Sequence, residues 1–120
     1  MARIKGVTIE IGGDTTKLEK AITDVTRSTR GLDKELRGIN YGLRLDPKNV
    51  TLLAEKQKVL AERVEKAAEK VDLLREKHKL ASKQFASGDM DGEEFRKISK
   101  DLGIAEAELK KFKDQLKEVG

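Results

Sequence analysis

VTLLAEKQKVLAERVEKAAEKVDLLREKHKLASKQF, residues 50–85, is the stretch that decides the fold. Along it Val50, Leu53, Gln57, Leu60, Val64, Ala67, Val71, Leu74, His78, Ala81 and Phe85 follow one another at alternating intervals of three and four. Such spacing averages 3.5 residues, close enough to the α-helical period that one face stays turned to a partner helix over many turns. Only Gln57 and His78 interrupt the apolar seam. A helix over 47–87 is about 60 Å long at 1.5 Å per residue, so the pattern predicts the spine of an elongated molecule.

Toward the C-terminus, Ser87-Gly88-Asp89-Met90-Asp91-Gly92 is a loop rich in turn formers. Asp91 with Glu94 has the spacing of a helix-capping pair, and Met90 with Phe95 that of the accompanying hydrophobic staple. A third seam then runs through Phe95, Ile98, Leu102, Ala105, Leu109, Phe112, Leu116 and Val119 over a helix at about 92–119. With Val50 and Phe95 as heptad position a, the flanking g positions of the second helix are Lys56, Arg63, Lys70, Lys77 and Gln84, a basic row. Those of the third are Glu94, Asp101, Glu108 and Gln115, an acidic row. Facing g rows belong to antiparallel helices, so the charges predict a hairpin with Lys77 near Asp101 and Lys70 near Glu108. That register centres the turn on Asp89. Exposed pairs contribute only about 0–1 kcal/mol each, so they set orientation and register while the seam supplies the stability.

Toward the N-terminus, Leu45-Asp46-Pro47 reads as a break and restart. Proline disfavours helical geometry at Asp46, Asp46 can cap the next helix, Pro47 suits its first turn, and Leu45 with Val50 would form its staple. Before it Leu18, Ile22, Val25, Thr29, Leu32, Leu36, Ile39 and Leu43 make a seam with one polar member. Gly31, Gly38 and Gly42 lie off that seam, and each costs about 1 kcal/mol against alanine inside a helix. Asp14 or Thr16, the latter with Glu19 three residues on, can cap this helix. Residues 4–11 alternate, with Val7, Ile9 and Ile11 on one face of a half-buried strand that Gly12-Gly13 ends. The organisation is therefore residues 1–13 as strand and turn, 14–45 as helix one, and 46–120 as an antiparallel coiled-coil hairpin. The fold class is all-α: a long three-helix hairpin or coiled coil with a short N-terminal β-strand. A lone strand leaves its edges unsatisfied, so Val7, Ile9 and Ile11 are the candidate interaction residues and the chain is expected to associate with itself or with a partner's sheet edge.

Composition narrows the function. Forty per cent of the 120 residues are charged, three per cent are aromatic, and cysteine is absent, so neither a disulfide nor a thiolate site is available. No signal-like segment and no apolar run of 18 residues is present, and the chain reads as soluble and intracellular, with no membrane role. The net charge of +4 is spread along the sequence without a basic arm, which gives no sign of specific nucleic-acid binding. Asp89, Asp91, Glu93 and Glu94 lack the alternate-ligand spacing of a calcium loop, and Gly92 comes too early for its sixth position. His78 is the only histidine, without a nucleophile to serve, and it reads as a polar register residue in the seam. Gly12-Gly13-Asp14-Thr15-Thr16 lacks the lysine and spacing of a phosphate loop, and Asn49-Val50-Thr51 is a chance glycosylation sequence in a helix's first turn. The reading is a non-enzyme with no cofactor and no metal.

Gly12-Gly13-Asp14-Thr15-Thr16, Leu43-Arg44-Leu45-Asp46-Pro47-Lys48-Asn49 and Leu52-Leu53-Ala54-Glu55-Lys56-Gln57-Lys58 occur in that order. With the strand before them, the chain resembles the amino-terminal region of tail tape measure proteins of long-tailed bacteriophages and prophages. The resemblance covers nearly the whole chain, and the first two motifs are its specific part. Gly31, Gly38 and Gly42 depart from the pattern, as does length, since tape measure proteins are much longer. The resemblance implies a fragment of a virion structural protein, assembled in the bacterial cytoplasm, that sets tail length, meets tail tube proteins and is bound by tail assembly chaperones. The alternative is a generic helical interaction module, a secreted WXG-like hairpin or an adaptor. The turn at residues 88–92 carries no tryptophan, which counts against the secreted form.

Overall fold

The computed structural model describes residues 15–119, apart from the side chain of Thr15. Three helices follow one another: α1 (Thr15–Leu45), α2 (Val50–Ala86) and α3 (Gly92–Val119). Among the described residues there is no strand, and the expected strand with Val7, Ile9 and Ile11 lies outside them, as does Asp14. The molecule is a rod with extents of 62 × 20 × 18 Å. A 37-residue helix is about 55 Å long at 1.5 Å per residue, so α2 alone accounts for most of the rod.

The helices end where side chains can take over backbone hydrogen bonds. α2 starts at Val50 rather than 47, and its cap is Asn49, not Asp46: the Asn49 side chain accepts from the Leu52 N–H at 3.0 Å. Asparagine accepts as well as aspartate there, and Asp46 stands in the turn before the helix, its carbonyl accepting from the Asn49 N–H at 3.1 Å to close the turn around Pro47. Leu45 and Val50 stay 72% and 77% exposed, so the expected staple buries neither. At the other end Gly88 has φ 83°, the left-handed conformation that favours glycine. This geometry lets Asp89 N–H reach the Gln84 carbonyl at 2.7 Å and Gly88 N–H reach that of Phe85 at 3.1 Å, the paired bonds of a Schellman ending. Asp91 caps α3 as expected, its carboxylate accepting from Glu94 N–H at 2.7 Å, and Met90 is buried beneath. Thr16 lies inside α1, so it is not the cap of that helix, and Glu19 is engaged elsewhere.

Helix α1 is continuous through all three glycines. At Gly42 there is a packing reason for glycine, because an added Cβ would sit 2.8 Å from Leu52 Cδ1, where the first and second helices come together. Gly31 and Gly38 have nothing within 4 Å of that position. The α1 seam is buried as spaced: Leu18, Val25, Leu36 and Ile39 are in the core, and Thr29, its polar member, gives its hydroxyl hydrogen to the Thr26 carbonyl at 2.7 Å.

The core is a line of three clusters along the rod. Leu36, Ile39, Val59, Leu60 and Phe112 bring all three helices together near the α1–α2 turn. Val71, Leu74 and Ala105 follow, with Ile22, Leu102 and Leu109 against them, and Ala81, Met90 and Ile98 close the hairpin end with Phe95. Burying a leucine or phenylalanine contributes about 1.5–3 kcal/mol, so these contacts dominate the stability. Helix one packs along α2 from Gly42 and Leu52 at one end to Glu19 and Lys77 near the other.

Candidate interaction surface

A central polar layer fixes how the three helices meet. Arg63, only 2% exposed, gives Nε to Asp33 of α1 at 2.7 Å and Nη2 to Glu108 of α3 at 3.4 Å. Its guanidinium carbon sits 4.2 Å from the centroid of the Phe112 ring, so the delocalised cation has a π face beneath it as well as two carboxylates at its edge. Both carboxylates keep contact with water, at 36% and 43% exposed.

The hairpin folds back where the charge rows place it: Phe85 stacks on Phe95 at 4.8 Å, His78 Nε2 lies 3.0 Å from Ser99 Oγ, and Arg75 Nη2 meets Glu106 at 3.1 Å. The expected register pairs do not form as ion pairs among the described residues. Lys77 takes Glu19 of α1 at 2.9 Å instead of Asp101, and Glu108 takes Arg63, one heptad before Lys70. The physical reason is the third helix. The basic edge of α2 is flanked by both α1 and α3, so α1 carboxylates compete for it, and the pair with Glu19 is the one found. Lys70, Lys77, Asp101 and Glu108 all line one groove of about 290 Å³ between α1 and α3, together with Ile22 and Ile104.

The seam residues divide by depth. Leu60, Val71, Leu74, Ile98 and Phe112 are buried; Val64, His78, Phe95, Leu102, Leu109 and Leu116 are half-buried; Phe85 is 45% exposed. His78 also lies 5.2 Å from the Phe95 ring centroid, so the lone histidine completes an aromatic file with Phe95 and Phe85 near the hairpin tip. Val50 and Leu53 are exposed at the start of α2. Heptad counting missed Val59, Arg63 and Gln84, which are buried outside the seam. One signal for Arg63 was present: Glu19 and Asp33 are fourteen residues apart, as are Arg63 and Lys77, the match an antiparallel pair of helices needs.

Among the described residues no group of three or more His, Cys, Asp or Glu side chains could hold a metal ion, and no helix is long and apolar enough to cross a membrane. The exposed surface carries its charge in ordered rows on long helices. Comparison with protein-family models, with curated proteins and with solved structures finds no match.

Proposed function

We propose that the chain is a structural, non-catalytic region near the amino terminus of a phage or prophage tail tape measure protein, active in tail assembly beside tail tube proteins and assembly chaperones. The observation that carries the reading is the ordered set of motifs, of which Leu45-Asp46-Pro47-Lys48-Asn49 is a capped turn holding two long helices together. The elongated three-helix rod is compatible with it.

On this reading the region has a particular part in such a protein. As one continuous helix the 105 described residues would extend about 158 Å at 1.5 Å per residue, whereas folded back they occupy 62 Å. A region folded this way acts as a compact head at the start of the ruler and contributes 62 Å of length in place of about 158 Å. The test is an in-frame deletion of residues 15–119 in the encoding phage or prophage, with tails measured by electron microscopy. Tails that fail to assemble, or that shorten by the 62 Å of the rod, support the reading. Normal numbers of tails with unchanged length overturn it.

A further inference from the structure

The two longest exposed charge rows of this chain are opposite in sign and equal in spacing. α1 carries seven Lys and Arg against four carboxylates, but Glu19 and Asp33 turn inward to Lys77 and Arg63. Its outer surface is therefore strongly basic. Arg27, Arg30, Lys34 and Arg37 are all exposed at intervals of three, four and three, and the last three make no ion pair among the described residues. On the solvent side of α2, Glu62, Glu65, Glu69 and Asp72 are exposed at the same intervals, and Glu76 continues the row. Of these only Glu69 has an ion-pair partner among the described residues, Lys66 at 3.4 Å.

We propose that the basic row of α1 docks on the acidic row of α2 of a second copy, so that rods associate side by side. Residues three and four apart stand in line on a helix surface, so two rows with one spacing meet position for position. Arg27, Arg30, Lys34 and Arg37 each fall thirty-five positions before Glu62, Glu65, Glu69 and Asp72. Within one copy the rows cannot meet, because α1 packs on α2 through its opposite, apolar face. Gly31 and Gly38 stand beside the basic row with open space where a Cβ would be, so the approaching helix meets no side chain there. A free polyanion would use the basic row alone, whereas a second copy uses the basic row and four members of the acidic row together. The contact joins different surfaces of the two copies, so it propagates into a ring or an array rather than closing as a two-fold dimer. It stands independently of the tape measure reading.

Exposed ion pairs are individually weak and fade with salt, so the association is expected at high protein concentration and low ionic strength. Sedimentation equilibrium of the full chain should give a weight-average mass above the 13.4 kDa of the monomer, returning to it near 1 M salt, where the screening length is about 3 Å. The double variants Arg30→Glu with Arg37→Glu, and Glu65→Lys with Asp72→Lys, should each be monomeric alone with unchanged helical circular dichroism. Mixed together they should associate again in equal proportion, since the first keeps its acidic row, the second keeps its basic row, and the two altered rows are complementary to each other as well. A monomeric natural chain at every salt concentration, self-association that survives in either double variant, or two variants that do not combine would each overturn the proposal.

Discussion

Truncating Arg63 should unfold this rod more readily than any other change to a charged residue, while replacing it by methionine should be nearly harmless. Arg63→Ala removes a side chain that is 2% exposed, leaving a cavity between three helices and stripping the Phe112 face of its cation. The lost packing and the lost cation–π contact together amount to about 3–4 kcal/mol. The stranded carboxylates add less than a fully buried pair would, because Asp33 and Glu108 are 36% and 43% exposed and water reaches them. Arg63→Met fills most of the same volume and keeps a flexible apolar stem over Phe112, and the two carboxylates it leaves behind are hydrated rather than buried. A loss of about 1 kcal/mol is expected for it. Urea denaturation followed by circular dichroism separates the two variants, and at roughly 4 °C per kcal/mol the alanine variant should melt about 12–16 °C lower. Equal losses for alanine and methionine would refute the reasoning, since they would mean that the charge, not the packing, is what the layer supplies.

Leu74→Asp places a charge in the middle cluster and should destabilise by about 4 kcal/mol or more, whereas Lys79→Asp on the exposed side of α2 should change the melting temperature little; equal shifts would show that the seam is misassigned. Gly31→Ala with Gly38→Ala should stabilise by roughly 1 kcal/mol per site, because both are helical and open, and Gly42→Ala should gain less since its methyl must displace Leu52. Unfolding curves in urea check all three alanine variants. Asn49→Ala should lose about 1 kcal/mol through the missing bond to Leu52 N–H, and a full-strength cap left at Asp46 would show up as no loss at all.

The face each helix turns to its neighbour was legible where burial and hydropathy coincide. Leu60, Val71 and Leu74 are buried on the seam of α2, and their period is plain in the sequence because all three are apolar. The α1 side of the same helix was not legible. Its contacts include Val59, Arg63 and Lys77, and two of those three are cations that hydropathy reads as solvent-facing. A repeat of 3.5 residues reports that a helix has a partner and not how many. Helix α2 has two, which is why its basic row was matched to the wrong carboxylates. The aromatic file of Phe85, Phe95 and His78 was legible only as seam positions, because ring stacking depends on distances no spacing rule contains.

The competition for Lys77 can be measured directly. Lys77 is 19% exposed and Glu19 47%, so the pair is part-screened and its coupling should be about 0.5–1 kcal/mol, at the upper end for accessible pairs. A double-mutant cycle of Glu19→Ala and Lys77→Ala isolates that term from the separate effects of each truncation. The same cycle with Asp101→Ala in place of Glu19→Ala should give a coupling near zero, since Asp101 lines the groove without an ion pair to Lys77 among the described residues. The contrast decides whether α1 or α3 owns the basic edge of α2. Coupling to Asp101 larger than to Glu19 would mean that α1 lies on α2 in solution less closely than Gly42, Asp33 and Glu19 require. The basic row of α1 would then have its own carboxylates free to neutralise it, and the side-by-side association would weaken with it.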